Sequence, residues 1–181
     1  MGNLFHYSNE LVGNITSVLN EKGIRFRYNE KKEVITFSLP VRGAGEGLLK
    51  FYIFLNKDSS YEIHALLPLK PDKCDDFVIS SLYEFFNYVN KDLHTGCMLM
   101  NENCEIWYRL YQECKPDEEQ FRQTFIDAVR MIVSDVESYS FGIYRIMNND
   151  FSAKMGITVS DNTRIRLKTG DRLENIDEIV N

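Results

Sequence analysis

The amino-acid sequence predicts an α+β fold: one antiparallel sheet backed by helices, in the order α-β-β-β-β-α-β-β-α, followed by a C-terminal appendage. Three observations carry this. Six runs read as strands, most of them alternating apolar and polar residues with period two. The first four are joined by links too short for the helical crossover that parallel strands require. Two later segments carry apolar stripes at helical spacing, which supplies one face of the sheet with partners.

In chain order, Leu4, Leu11, Ile15, Val18 and Leu19 recur at helical spacing and predict a first helix over 4–22. Gly23 falls where a helix C-terminus favours positive φ. Residues 24–28 alternate as a first strand, with Ile24, Phe26 and Tyr28 on one face and Arg25 and Arg27 on the other. A polar turn follows, then a second strand over 33–39 that Pro40 is expected to stop. The glycine-rich stretch 42–47 leads into a third strand at 48–55, and Asn56-Lys57-Asp58-Ser59 reads as a hairpin connection to a fourth at 61–67. These four should form a meander.

Asp72 is the expected N-cap of a second helix over 73–90, whose stripe is Val78, Leu82, Phe85, Phe86 and Val89. Residues 95–100 and 104–111 predict a second hairpin around Asn101-Glu102-Asn103. Pro116 and the acidic run Asp117-Glu118-Glu119 open the last helix, where negative charge suits the positive end of the dipole. Phe121, Phe125, Ala128, Val129, Ile132, Val136, Tyr139 and Ile143 hold helical period to about residue 147. Beyond it the aromatic density falls. Residues 1–147 are therefore read as the domain and 148–181 as the appendage, with strands expected at 155–159 and 164–168 and a helix at 171–180.

The chain has 181 residues, 44% of them apolar, enough for one sizeable core. Twenty-one basic against 27 acidic side chains give a net charge of −6, which weighs against nucleic acid and leaves basic peptides or proteins as partners. No apolar run approaches the ~20 residues that span a bilayer, so no membrane partner is expected. Met1 to Asn14 lacks a basic leader and an apolar block, so a cytoplasmic location is expected. Cys74, Cys97, Cys104 and Cys114 show no zinc spacing and are expected to be reduced thiols.

No motif points to a reaction. Gly43, Gly45 and Gly47 lack the Lys-Ser/Thr pair and the following helix of a phosphate cradle. His6, His64 and His94 lie in separate elements, with no second histidine at ligand spacing. No serine sits in a G-x-S-x-G elbow, and Glu102 and Glu105 read as ordinary hairpin carboxylates. No catalytic residue, metal or cofactor is therefore expected.

The sheet faces say more. Alternation places Ile24, Phe26, Ile35, Phe37, Leu49, Phe51, Ile53, Ile63, Ala65, Ile106, Tyr108 and Leu110 on one face, under the helix stripes. The other face receives Lys50, Tyr52, Phe54, Glu62, His64, Leu66, Trp107, Arg109 and Tyr111, along with Arg25, Arg27, Thr36 and Ser38. A purely solvated face would carry Lys, Glu and Thr. This one mixes the only Trp with Tyr, Phe and Arg, types enriched where proteins bind proteins. Either the first helix or the appendage covers it, or a partner does. Tyr52, Phe54, His64, Trp107, Arg109 and Tyr111 are the candidate partner-binding residues, with Trp107 as the anchor.

Phe51-Tyr52-Ile53-Phe54-Leu55, Tyr61-Glu62-Ile63-His64-Ala65-Leu66-Leu67 and Glu105-Ile106-Trp107-Tyr108-Arg109-Leu110, leading through Lys115-Pro116-Asp117-Glu118-Glu119 into the last helix, resemble the YbjN family of bacterial proteins within the type III secretion chaperone-like fold. The resemblance covers residues 4–147. It implies no catalytic residues and a role in binding extended segments of partner proteins, as a dimer. The expected function is thus a non-enzymatic protein-binding or chaperone-like module acting through its sheet face or edge on a protein partner or on a second copy as a homodimer. The alternative is a small-ligand protein or enzyme with a pocket between the sheet and the second helix near Glu62, His64 and Arg109.

Overall fold

The computed structural model describes residues 6–43, 47–56, 60–71, 75–114, 117–148 and 150–169. Its elements are α1 (His6–Glu21), β1 (Phe26–Asn29), β2 (Val34–Val41), β3 (Gly47–Leu55), β4 (Ser60–Leu66), α2 (Asp76–Asp92), β5 (Cys97–Met100), β6 (Ile106–Glu113), α3 (Glu118–Met147) and α4 (Ala153–Thr169). The strands form one six-stranded antiparallel sheet in the order β1-β2-β3-β4-β6-β5. The meander is therefore present, with the second hairpin added through β6.

Local chemistry accounts for the element ends. α1 stops at Gly23, which takes φ +67°, and the Ile24 N–H donates back to the Leu19 carbonyl at 2.8 Å. The Asp75 carboxylate caps α2 by accepting from the Phe77 N–H at 2.8 Å, and Asp117 caps α3 by accepting from the Gln120 N–H at 2.8 Å. The cap of α2 is thus three residues later than Asp72, which lies outside the described residues, as does Pro116. β2 runs through Pro40 instead of stopping there. Pro40 sits beyond the reach of β1, on a side of β2 with no neighbouring strand, where the missing N–H leaves no ladder bond unmade.

All twelve residues assigned to the inner face point toward the helices; ten are buried, and Ile24 and Phe26, at the sheet edge, are half-buried. Phe37 stacks on Phe51 with ring centroids 4.7 Å apart, and Tyr61 lies edge-on to Phe121 and Phe125, each 5.9 Å away. Leu11, Ile15, Val18 and Leu19 of α1 enter the same core as Phe125, Ile132 and Val136 of α3. α1, α2 and α3 all bury their stripes on this side.

The appendage differs from the expectation. The two strands predicted at 155–159 and 164–168 are instead parts of one helix, α4, packed on α3 and α2. Two features hid it. Ser160 and Thr163 are buried but look hydrophilic; their hydroxyls donate to the Gly156 and Val159 carbonyls at 2.8 and 3.0 Å, one turn back on the same helix. Gly142 of α3 and Gly156 of α4 meet at the crossing, where no side chain marks the contact. A Cβ on Gly142 would lie 2.7 Å from the Gly156 carbonyl oxygen. The residues expected as a further helix, 171–180, lie outside the described residues.

The cysteines also correct an expectation. Cys97 and Cys114 are not in disulfides, but Cys104, buried in the β5–β6 turn, is disulfide-bonded. Spacing along the chain carries no information on which sulfurs the fold brings together.

Candidate functional site

The pairing register lays the outer face out in rows. Directly opposed residues run Thr36, Tyr52, His64, Arg109, Cys97 across the middle of the sheet. Beside this row runs Ser38, Lys50, Leu66, Trp107, Leu99, and on the other side Val34, Phe54, Glu62, Tyr111. Strands far apart in sequence thus place Tyr52, Phe54, His64, Trp107, Arg109 and Tyr111 in one contiguous patch. All six candidate residues come together.

The patch is an aromatic cluster tied by one carboxylate. The Trp107 ring lies 5.5 Å from that of Tyr52 and 6.4 Å from that of His64, and His64 lies 4.7 Å from Phe54. The Lys50 ammonium sits over the Tyr52 ring at 4.9 Å. Glu62 Oε2 accepts from Arg109 Nε at 2.9 Å and Nη2 at 2.7 Å, and lies 2.8 Å from His64 Nε2, which must be the donor because a carboxylate only accepts. The hydrogen bond from His64, followed by those from Arg109, holds the Glu62 carboxyl below its ordinary value against the partial burial that would raise it. Phe54 and Tyr111 are exposed, at 37% and 52%, while Tyr52, His64 and Trp107 are half-buried against one another.

No described helix lies over this face: α1 and α3 share the inner side with α2, and α4 packs behind them. Its apolar rings are therefore presented on a rigid sheet to whatever meets them. Glu62, His64 and Arg109 do converge, but on the side of the sheet away from α2, and the space between sheet and α2 holds packed core. Among the described residues no group of three or more His, Cys, Asp and Glu could hold a metal ion, and no helix is long and apolar enough to cross a membrane.

Two parts of the site were not among the six partner-binding candidates. Glu62 is the hub of the polar contacts; the sequence had set it beside His64 and Arg109 only in the alternative pocket reading. The second is a trough beside β1. β1 covers β2 only as far as the Phe26–Phe37 pair, so residues 38–41 of β2 have no strand on that side. The chain leaves the line of β1 at Ile24 and Arg25 toward α1. The vacated track is an open cavity of about 990 Å³ lined by Arg25, Arg27, Phe37, Ser38 and Lys50 among others. A second cavity of about 750 Å³ shares Arg27 and Thr36 with it and continues over Tyr52 and Phe54. A strand shorter than its neighbour makes this trough, and the length of a strand's pairing is not written in its own residues.

Compared with known protein families and with curated protein sequences, the chain matches none.

Proposed function

We propose that this protein is a non-enzymatic binding module, chaperone-like in the sense that it holds a segment of another protein, and that it works through the outer face of its sheet. The observation that carries the reading is the Trp107–Tyr52–His64–Phe54 cluster, with Tyr111 and Arg109 at its margin, on a face no described helix covers. Cross-strand ring pairs stabilise a sheet by only about 0.2–1 kcal/mol each, whereas interfaces are enriched in Trp, Tyr and Arg. The Glu62–Arg109 pair fixes the Arg109 head group beside the rings, so a partner meets a preorganised charge. The resemblance to YbjN proteins, which rests on element order through α3, points the same way.

The test is a pair of measurements on Trp107→Ala: the unfolding midpoint, and partner capture together with solution mass by light scattering. Trp107 is half-buried against Tyr52 and His64, so its loss should cost the fold only about 1 kcal/mol, the worth of an aromatic pair. An anchor worth about 2 kcal/mol should weaken association roughly 30-fold. A collapse of stability with association untouched would refute the reading, and a concentration-dependent dimer lost in the variant would identify the partner as a second copy.

A further inference from the structure

We propose that the trough beside β1 seats an extended acidic segment of the partner protein; this deepens the protein-binding reading and rests on it. Three independent features converge on that occupant.

The first is charge. Arg25, Arg27 and Lys50 line the first part of the trough without a single carboxylate, and Lys31 and Lys32 line its continuation against one acid, Glu30. All five cations are exposed, and none pairs with a carboxylate among the described residues. The chain as a whole carries −6, so the sign of this surface is opposite to that of the molecule. The net charge alone pointed to basic partners; the local field points to an acidic one. Like charges gathered on an otherwise acidic protein repel one another, and an acidic ligand relieves that repulsion while steering its own approach.

The second is the strand edge. Residues 38–41 of β2 continue past the end of β1 with no described strand on that side, where Ser38 offers an N–H and a carbonyl and Pro40 a carbonyl alone. An extended peptide laid in the vacated track would pair with Ser38 and donate to the Pro40 carbonyl, a short register that sets its direction and leaves most of the affinity to its side chains, which alternate between trough and solvent. The third is the floor. Along the continuation the trough passes over Tyr52 and Phe54, which offer an apolar seat beside the cations. The matching segment alternates acidic with apolar residues. A single-stranded nucleic acid would also meet cations and rings. It fits less well, because it has no peptide main chain to pair with Ser38 at the strand edge.

The test is selection from a random-peptide display library against the full chain, repeated on Arg25→Glu/Arg27→Glu, with thermal unfolding confirming that both proteins fold. Selected peptides should be rich in Asp and Glu alternating with apolar residues. Their affinity should fall roughly tenfold or more in the charge-reversed variant and should weaken as salt rises. Enrichment of basic or uncharged peptides, an unchanged affinity in the variant, or no enrichment would overturn the proposal. Tighter binding of a single-stranded oligonucleotide than of any selected peptide would overturn it too. Trp107→Ala separates the two readings. Basic peptides that this substitution releases would sink the acidic segment and leave the sheet-face reading standing. Acidic peptides that bind regardless of Trp107 but depend on Arg25 and Arg27 would support the trough and remove Trp107 from the interface.

Discussion

The crossing of α3 and α4 can be tested with two glycines that look alike in sequence. Gly13 lies in the exposed interior of α1, and a Cβ there would meet nothing within 4 Å. Gly142 lies in α3, and a Cβ there would meet Ser160 Oγ at 2.6 Å, the Gly156 carbonyl oxygen at 2.7 Å and Phe85 Cε2 at 3.0 Å. Gly13→Ala should stabilise the protein by about 0.5–1 kcal/mol, the ordinary helix preference for Ala over Gly. Gly142→Ala gains the same term but must open the crossing by close to ~1 Å to restore normal contact distances. Two of the obstacles do not yield easily. One is backbone, and the other is a hydroxyl committed to the Gly156 carbonyl in a fully buried site. Overpacking of this kind costs about 1–3 kcal/mol, and rigid neighbours favour the upper end, so the net should be a loss of about 1–2 kcal/mol. Urea unfolding followed by far-ultraviolet circular dichroism reads both changes. Partner binding should be unaffected by either, since both glycines lie in the helical layer behind the sheet. If Gly142→Ala unfolds at or above the wild-type midpoint, α4 is not seated against α3 as described and the packing argument fails.

Phe125 is buried against Tyr61 and Phe121, so Phe125→Ala should cost about 3–5 kcal/mol, read as a fall in unfolding midpoint; an unchanged midpoint would place α3 elsewhere. Glu62 has its carboxyl pKa lowered in the folded state, so its contribution is present above the ordinary carboxylate value and is lost as pH falls through and below it. Glu62→Gln should therefore be less stable than wild type near neutral pH, with the gap closing as pH falls through and below the ordinary carboxylate range; a gap independent of pH would show that charge at Glu62 contributes nothing.

Much of this molecule was determined by the sequence acting locally. Period-two alternation in residues 49–53, 63–65 and 106–110 identified both faces of the sheet, because a strand turns successive side chains to opposite sides whatever it pairs with. The stripes of α2 and α3 located their buried faces for the same reason at helical period. The six patch residues could be assigned to one face in this way, although strand order and register alone make Trp107 a neighbour of Tyr52 and His64. Tertiary structure decided the rest. α4 is a helix because α2 and α3 offer it a groove in which Ser160 and Thr163 can be buried on their own carbonyls, a pattern that reads as polar until the burial is known. Glu62 became the hub because pairing of β4 with β6 put Arg109 within reach, 47 residues along the chain. The trough exists because β1 ends before β2 does. Each of these depends on which distant segments become neighbours, and that is a property of the packed whole that no single segment's residues encode.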